Sequence, residues 1–343
     1  MSRSDRFLKA CRRESVDCTP VWMMRQAGRY LPEYREIRKA HGFLEMCKTP
    51  ELAAEVTMQP IRRFELDAAI IFADILLPLE PMGINLEFAK GEGPVIHNPV
   101  RTLSDVAKLK PVKTKESICY LLDAITIVQK ELRGKVPLIG FSGAPFTLAS
   151  YIIEAGSSKE YANTKTMMFD DPSTWHTLME HLTGVIIDYL NAQIDAGVNA
   201  VQLFDSWVGT LGTSDYREFV LPHQKNVISG IKKSVPLIHF AHGASHLLEL
   251  VSAAGGDVIG LDWRCDLATA WDRIGHEKAV QGNLDPISLF ASENVIRKRV
   301  GDILAMAENR NGHIMNLGHG ILKETPLENA AAFINAVHEL GKR

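Results

Sequence analysis

The stretch PVWMMRQAGRYLPEYREIR, residues 20–38, decides between two ways of building an α/β protein. Its first five residues form an apolar run of strand length, which ends in Arg25 and Arg29, four apart, with Arg35 and Arg38 following. A dinucleotide-binding open sheet would place G-x-G-x-x-G after its first strand. A cationic loop stands there instead.

Working outward, seven further apolar runs recur: AAIIF (68–72), VPLIGFS (136–142), AVQLFD (200–205), VPLIHFA (235–241), DVIGLDW (257–263), KAVQGN (278–283) and HIMNLG (313–318). The segments between them carry helical spacing. Ile118, Leu121, Leu122, Ile125, Val128 and Leu132 recur at threes and fours, as do Trp175, Leu178, Leu182, Val185, Ile186 and Tyr189. A helix over 244–254 is expected to end at Gly255-Gly256. Eight strands alternating with helices predict an α/β fold, a closed (β/α)8 TIM barrel; a doubly wound open sheet is the lesser alternative. Residues 83–101 read as an extra hairpin. With no linker or low-complexity stretch, residues 1–343 are expected to form one domain.

The composition, 46% hydrophobic and 23% charged, is that of a soluble globular protein able to bury a large core. A net charge of −3 gives no general attraction to nucleic acid or to an anionic membrane, so any anion site must be local. Cys11, Cys18, Cys47, Cys119 and Cys265 contain no C-x-x-C pair and read as reduced thiols. No apolar run has the length of a membrane span, and the first residues do not resemble a secretory signal. A cytoplasmic enzyme or binding protein is expected.

In a barrel, the carboxyl ends of the strands carry the chemistry. Those positions hold Arg25, Asp74, Ser142, Asp205, Ser206, His239, His242, Asp262, Asn283 and His319. Arg25 and Arg29 offer permanent planar charge suited to carboxylates or phosphates, and a group of arginines after one strand points to a ligand with several anionic groups. Asp74, alone in IIFADILLPLEP, must meet a cation or hydrogen-bond donors, from the protein or from a ligand with N–H groups. Ser206 either hydrogen-bonds a ligand or caps the next helix, and the sequence leaves both open. Tyr151 either packs or takes part in chemistry. His319, between glycines in NLGHG, sits where a loop could approach a ligand closely. His239, His242 and His246 have a spacing that invites zinc, but an intervening glycine and the lack of a nearby cysteine favour ordinary histidines.

Taken together, PVWMMRQAGRYLPEYR, IIFADIL, GFSGAPFTL, LFDSW, GLDW and NLGHG, in that order over nearly the whole chain, resemble the uroporphyrinogen decarboxylase family. The resemblance implies a (β/α)8 barrel, a homodimer, and a reaction needing no metal or organic cofactor. The reaction removes CO2 from the four acetate arms of uroporphyrinogen III to leave coproporphyrinogen III. Carried over by position, it implies that Asp74 accepts hydrogen bonds from pyrrole N–H groups and that Arg25 and Arg29 hold substrate carboxylates. Asp74, Arg25 and Arg29 would be the catalytic set. Arg38, Tyr151, Ser206 and His319 would be further substrate contacts, and Gln26, Ala27 and Gly28 would complete the loop. Phe146, Ala155 and Ser157 depart from the commoner family pattern, where tryptophan and glycines are frequent. The chief rival is a zinc- or corrinoid-dependent methyltransferase of the same superfamily. A non-catalytic tetrapyrrole carrier and a Schiff-base aldolase complete the alternatives; no strand-end lysine favours the last.

Overall fold

The computed structural model describes residues 1–89 and 93–343. Seven short strands pair in parallel, each with the next in chain order, in one curved sheet. They are β1 (Ala69–Ile70), β4 (Leu138–Gly143), β5 (Ala200–Asp205), β6 (Leu237–Ala241), β7 (Val258–Gly260), β8 (Ala279–Gln281) and β9 (His313–Ile314). Register runs from Ile139 opposite Ala200 to Val201 opposite Leu237 and Ile238 opposite Val258. Almost every residue of these strands is buried, which is why they read as apolar runs and not as alternating patterns. The expected helical faces pack inward: Leu121, Ile125, Val128 and Leu132 in Cys119–Leu132, and Trp175, Leu178, Leu182, Ile186 and Tyr189 in Pro172–Asp195.

Residues 20–24, expected as the first strand, do not form one. Val21 makes a single parallel bridge to Met315 beside β9. The other N–H groups of the segment are taken largely by side chains, so no ladder develops. Val21 N–H donates to Asp67 Oδ2 (2.9 Å), Met23 N–H to Gln26 Oε1 (3.1 Å) and Met24 N–H to Asn316 Oδ1 (3.1 Å). On the β1 side, Asp67 N–H donates to Val21 O at 2.8 Å. The fully buried Asp67 also receives Arg6 Nη1 (2.8 Å) and lies 2.8 Å from His338 Nε2. One carboxylate thereby joins the N-terminal helix Arg3–Cys11, this segment and the C-terminal helix Leu327–Leu340.

Inside the sheet's curve a buried polar relay ties the same segment to the opposite strands. Trp22 Nε1 donates to Gln281 Oε1 (2.9 Å), Gln281 Nε2 to Gln202 Oε1 (3.2 Å), and Gln202 Nε2 approaches Met24 Sδ at 3.8 Å. The expected insertion is an antiparallel hairpin, β2 (Leu86–Ala89) with β3 (Gly93–Ile96); residues 90–92 of it lie outside the described residues. The expected helix 244–254 is a 3-10 turn, Ser245–Leu247, leading into Leu248–Ala254 and ending at Gly255 with φ 122°.

Candidate active site

Beyond the carboxyl ends of the strands opens a cavity of about 690 Å3. Arg25, Ala27, Gly28, Arg29, Arg38, Asp74, Tyr151, Ser206 and His319 all line it. Its apolar walls include Phe72 beyond β1, Phe141 of β4, Phe204 of β5, Phe240 of β6 and Phe88 of the hairpin. The site is a cavity of mixed character, with aromatic walls, the cations Arg25, Arg29, Arg38 and Lys323, and the one carboxylate of Asp74.

Asp74 follows β1 by four residues. Its Oδ1 accepts the Leu76 N–H at 2.8 Å, and no other protein donor reaches it among the described residues. Burial pushes its pKa up to about 6, opposed by that hydrogen bond and by the nearby Arg25 charge. The carboxylate therefore stands in its anionic form above pH 6, poorly solvated, with Oδ2 available to a ligand.

Arg25 holds a left-handed backbone, φ 63°, rare for a residue with a Cβ. The loop around it is braced from below. Gln26 is fully buried and turned away from the cavity: its Nε2 donates to Ala68 O (3.0 Å) and its backbone N–H to Met23 O (3.0 Å). Its place is under the loop and not on the cavity wall, because both ends of its amide are committed to backbone. Arg35 supports the loop from the other side, donating to the carbonyls of Arg29 and Tyr30 at 3.0 and 3.1 Å. Arg38, on the helix Pro32–Ala40, donates to His41 O at 2.8 Å.

Tyr151, on the helix Pro145–Glu154, lies with its ring centroid 3.8 Å from that of Trp207, and burial raises its phenol pKa well above the ordinary value. His319 is pushed down to about 3, by burial first and then by the nearby arginine charges of Arg25 and Arg264, so its ring is neutral. Of the other strand-end residues, Ser142, Asp205, His239, Asp262 and Asn283 are buried outside the cavity wall. Asp205 accepts Thr147 Oγ1 at 2.9 Å, and Asn283 Nδ2 donates to the carbonyls of Asp262 and Cys265 at 2.9 and 2.8 Å. His239 is buried in β6, while His246 Nε2 meets Leu211 O at 2.8 Å, so the three histidines of HFAHGASH diverge. Among the described residues no three His, Cys, Asp or Glu side chains converge as a metal-ligand set.

Sequence reasoning missed Tyr34, Phe43, Phe88 and Lys323, which also line the cavity. Lys323, four residues past His319, was within reach of the strand-end argument; Phe88 belongs to the hairpin and carried no such signal. A shallower basic recess of about 420 Å3 adjoins the cavity, lined by Arg29, Arg35, Arg38, Lys39 and Lys323 with Tyr34 and Glu324.

Fold and site together define a parallel α/β enzyme with its reactive groups gathered at the carboxyl ends of the strands. The chain belongs to the uroporphyrinogen decarboxylase family: residues 2–340 match the family model described as uroporphyrinogen decarboxylase (URO-D). It is 60% identical over 338 residues to the uroporphyrinogen decarboxylase of Carboxydothermus hydrogenoformans, covering 98% of this chain and 97% of the relative. It is 55% identical over 338 residues to that of Chloroflexus aggregans, covering 97% and 95%. Among solved structures, a methyltransferase from Methanosarcina mazei superposes with a TM-score of 0.84 at 21% identity, covering 99% of each chain. A B12-independent methionine synthase from Shewanella sp. gives 0.58 at 10% identity, covering 88% and 89%. At such identities these two likenesses speak for the fold alone.

Proposed function

We propose that this chain decarboxylates the four acetate arms of uroporphyrinogen III to coproporphyrinogen III, releasing four CO2, in tetrapyrrole and haem synthesis. The observation that carries the reading is Asp74: a carboxylate with one oxygen unpaired among the described residues, set in an aromatic-walled cavity beside Arg25.

The chemistry follows from electron demand. Losing CO2 from an acetate arm leaves an electron pair on carbon, and a pyrrole is already electron-rich. Protonating a ring carbon makes the ring an acceptor. CO2 then departs and its bonding pair forms an exocyclic methylene on the ring; a second proton converts this to methyl, and the first proton leaves the ring carbon to restore the pyrrole, so one proton is consumed for each CO2 released. An ionised Asp74 accepting the pyrrole N–H stabilises the cationic ring more than the neutral one, which is selective stabilisation of the transition state. Burial around Asp74 weakens the competing solvation of its charge and so strengthens that attraction. Arg25 and Arg29 hold carboxylate arms, and Arg38 is a further contact at the entrance. His319 and Tyr151, neutral at working pH, serve as hydrogen-bond partners with Ser206. Ala27 and Gly28 offer backbone at the cavity wall, and Gln26 holds their loop in place. Arg25 and Arg29 line the same cavity and are offered as the source of the ring proton with water as relay; a guanidinium is a poor acid, so the transfer depends on the electrostatics of the site favouring it.

This reading needs no metal or organic cofactor. It includes one domain over residues 1–343 and a closed (β/α)8 barrel. The hydrogen bonds of residues 20–24 to both the β9 and β1 sides support counting that segment as the eighth stave. A homodimer working in the cytoplasm, free of nucleic acid and membrane, completes it. No helix among the described residues is long and apolar enough to cross a membrane. The methyltransferase alternative loses to curated relatives at 51–60% identity that are named decarboxylases.

The test is to incubate chelator-treated protein with anaerobically prepared uroporphyrinogen III and follow CO2 and the oxidised porphyrins by chromatography. Stepwise appearance of hepta- to tetracarboxylate porphyrins is expected. Tight binding without CO2 would replace the reading by a carrier, and neither binding nor CO2 would reopen the methyltransferase.

A further inference from the structure

We infer that His242 is a positioning residue for this site, fixing the ring of His319 and the backbone of Ser206 so that both meet a substrate carboxylate. The inference rests on the decarboxylase reading.

The argument starts at Asp262, buried after β7. Its Oδ1 accepts the Arg264 N–H at 2.8 Å, and its Oδ2 accepts the Gly243 N–H and lies 3.4 Å from Arg264 Nη1. The Arg264 guanidinium lies 4.0 Å from the centre of the Trp263 ring, so it is held by charge, by backbone and by an aromatic face. From there Nη1 reaches His242 Nε2 at 3.1 Å. A guanidinium can only donate, so Nε2 accepts and the imidazole proton resides on Nδ1. That nitrogen faces Ser206 O at 3.3 Å and donates to it. Both ring nitrogens of His242 are thereby committed, one to an arginine and the other to the loop that carries Ser206.

The face of this fixed ring is what His319 packs against. Their centroids are 4.6 Å apart at 56°, and Trp263 meets His319 edge-on at 6.4 Å. His319 itself makes no hydrogen bond to protein among the described residues, so ring contacts set its direction into the cavity. The charged groups acting on His242 are Arg264, Arg25 and Asp262. Burial and the two arginines outweigh Asp262 and keep the imidazole neutral, as the accepting Nε2 requires. The result is a chain from Asp262 through Arg264 and His242 to two substrate contacts, none of its first three members lining the cavity.

Such a residue acts on binding and leaves the chemical step alone. In His242→Ala the KM for uroporphyrinogen is expected to rise about tenfold with kcat within about twofold, the mark of lost uniform binding. His242→Asn keeps an amide nitrogen near the position of Nδ1 and should recover most of the KM. In 15N-labelled wild type, imidazole shifts should show His242 protonated on Nδ1. An unchanged KM in His242→Ala, an Asn variant no better than Ala, or a proton on Nε2 would each overturn the role, the last without depending on any variant folding. Wild type that releases no CO2 would overturn the decarboxylase reading and this role with it, whereas normal wild-type turnover with an unmoved Ala KM overturns the role alone.

Discussion

The Cβ that Gly320 lacks would stand 2.3 Å from Cδ of Arg25 and 2.9 Å from its Nε. Residues from opposite ends of the chain thus meet at the cavity, and the bare backbone of one is the bed on which the charged arm of the other lies. Gly320→Ala must displace the Arg25 side chain while leaving the sheet untouched. The expected outcome is a thermal midpoint near wild type with kcat/KM down by about 100-fold, the cost of an ångström of misplacement at a reacting centre. Steady-state turnover at wild-type values would disprove the bed.

Arg25 also carries a local backbone cost. At φ 63° a side-chain-bearing residue is disfavoured by about 1–2 kcal/mol relative to glycine. Arg25→Gly and Arg25→Ala should be equally poor enzymes, yet the glycine variant should be the more stable of the two by about that amount. Urea midpoints in the opposite order would remove the strain argument.

Asp74→Asn keeps the shape and the Leu76 hydrogen bond but not the charge. Its kcat should fall by about 10²–10³ with KM little changed, as for loss of one preorganised electrostatic partner. Arg29→Ala should lose both parameters. Because the active form is the carboxylate and its pKa is raised to about 6, wild-type kcat/KM should climb as pH rises through 6. The Asn variant should lack that limb; a retained limb would assign it to another group.

Asp205 bears on stability instead. Its pKa is raised to about 7 by burial, with only the Thr147 hydroxyl opposing. In the unfolded chain an aspartate titrates near ~4. Between those limits the unfolded state has lost its proton while the folded state keeps it, so this group lowers stability as pH rises from ~4 to 7. Asp205→Asn should remove that component. The difference in urea midpoint between wild type and variant should therefore change in the variant's favour over the window, and a constant difference would show that Asp205 does not titrate there.

Asp67 is the test of how the sheet is joined to residues 20–24. Its oxygens meet Arg6, Val21 N–H and His338, so Asp67→Ala orphans the buried Val21 N–H and takes one of two carboxylate partners from Arg6, which keeps its pair with Asp17. A loss of about 1–3 kcal/mol is expected in chemical denaturation, and no measurable loss would mean that the segment is held by other contacts.

Much of this was legible along the chain because it depends on neighbours in sequence. Strands buried on both faces must be apolar throughout, amphipathic helices must repeat at threes and fours, and a parallel strand must end where its backbone opens to a ligand. Those local requirements located seven strands, the helices Cys119–Leu132 and Pro172–Asp195 between them, and the mouth residues Arg25, Asp74, Ser206 and His319. They also explain why Lys323 could have been found: it follows His319 on the same loop.

Tertiary structure decided the rest, since it depends on partners far apart in sequence. Residues 20–24 look like any other strand, but their N–H groups go to Asp67 and Asn316, which no periodicity can announce. Gln26 lies within the cationic loop, yet its amide is spent on Met23 and Ala68, so it supports the wall without forming it. Phe88 reaches the cavity only because its hairpin folds over the mouth. The neutrality of His319 follows from burial beside the charges of Arg25 and Arg264, brought together from separate loops. Residue types and their spacing therefore determined which chemistry was on offer, and the packing of distant segments determined the direction, charge state and company in which each group offers it.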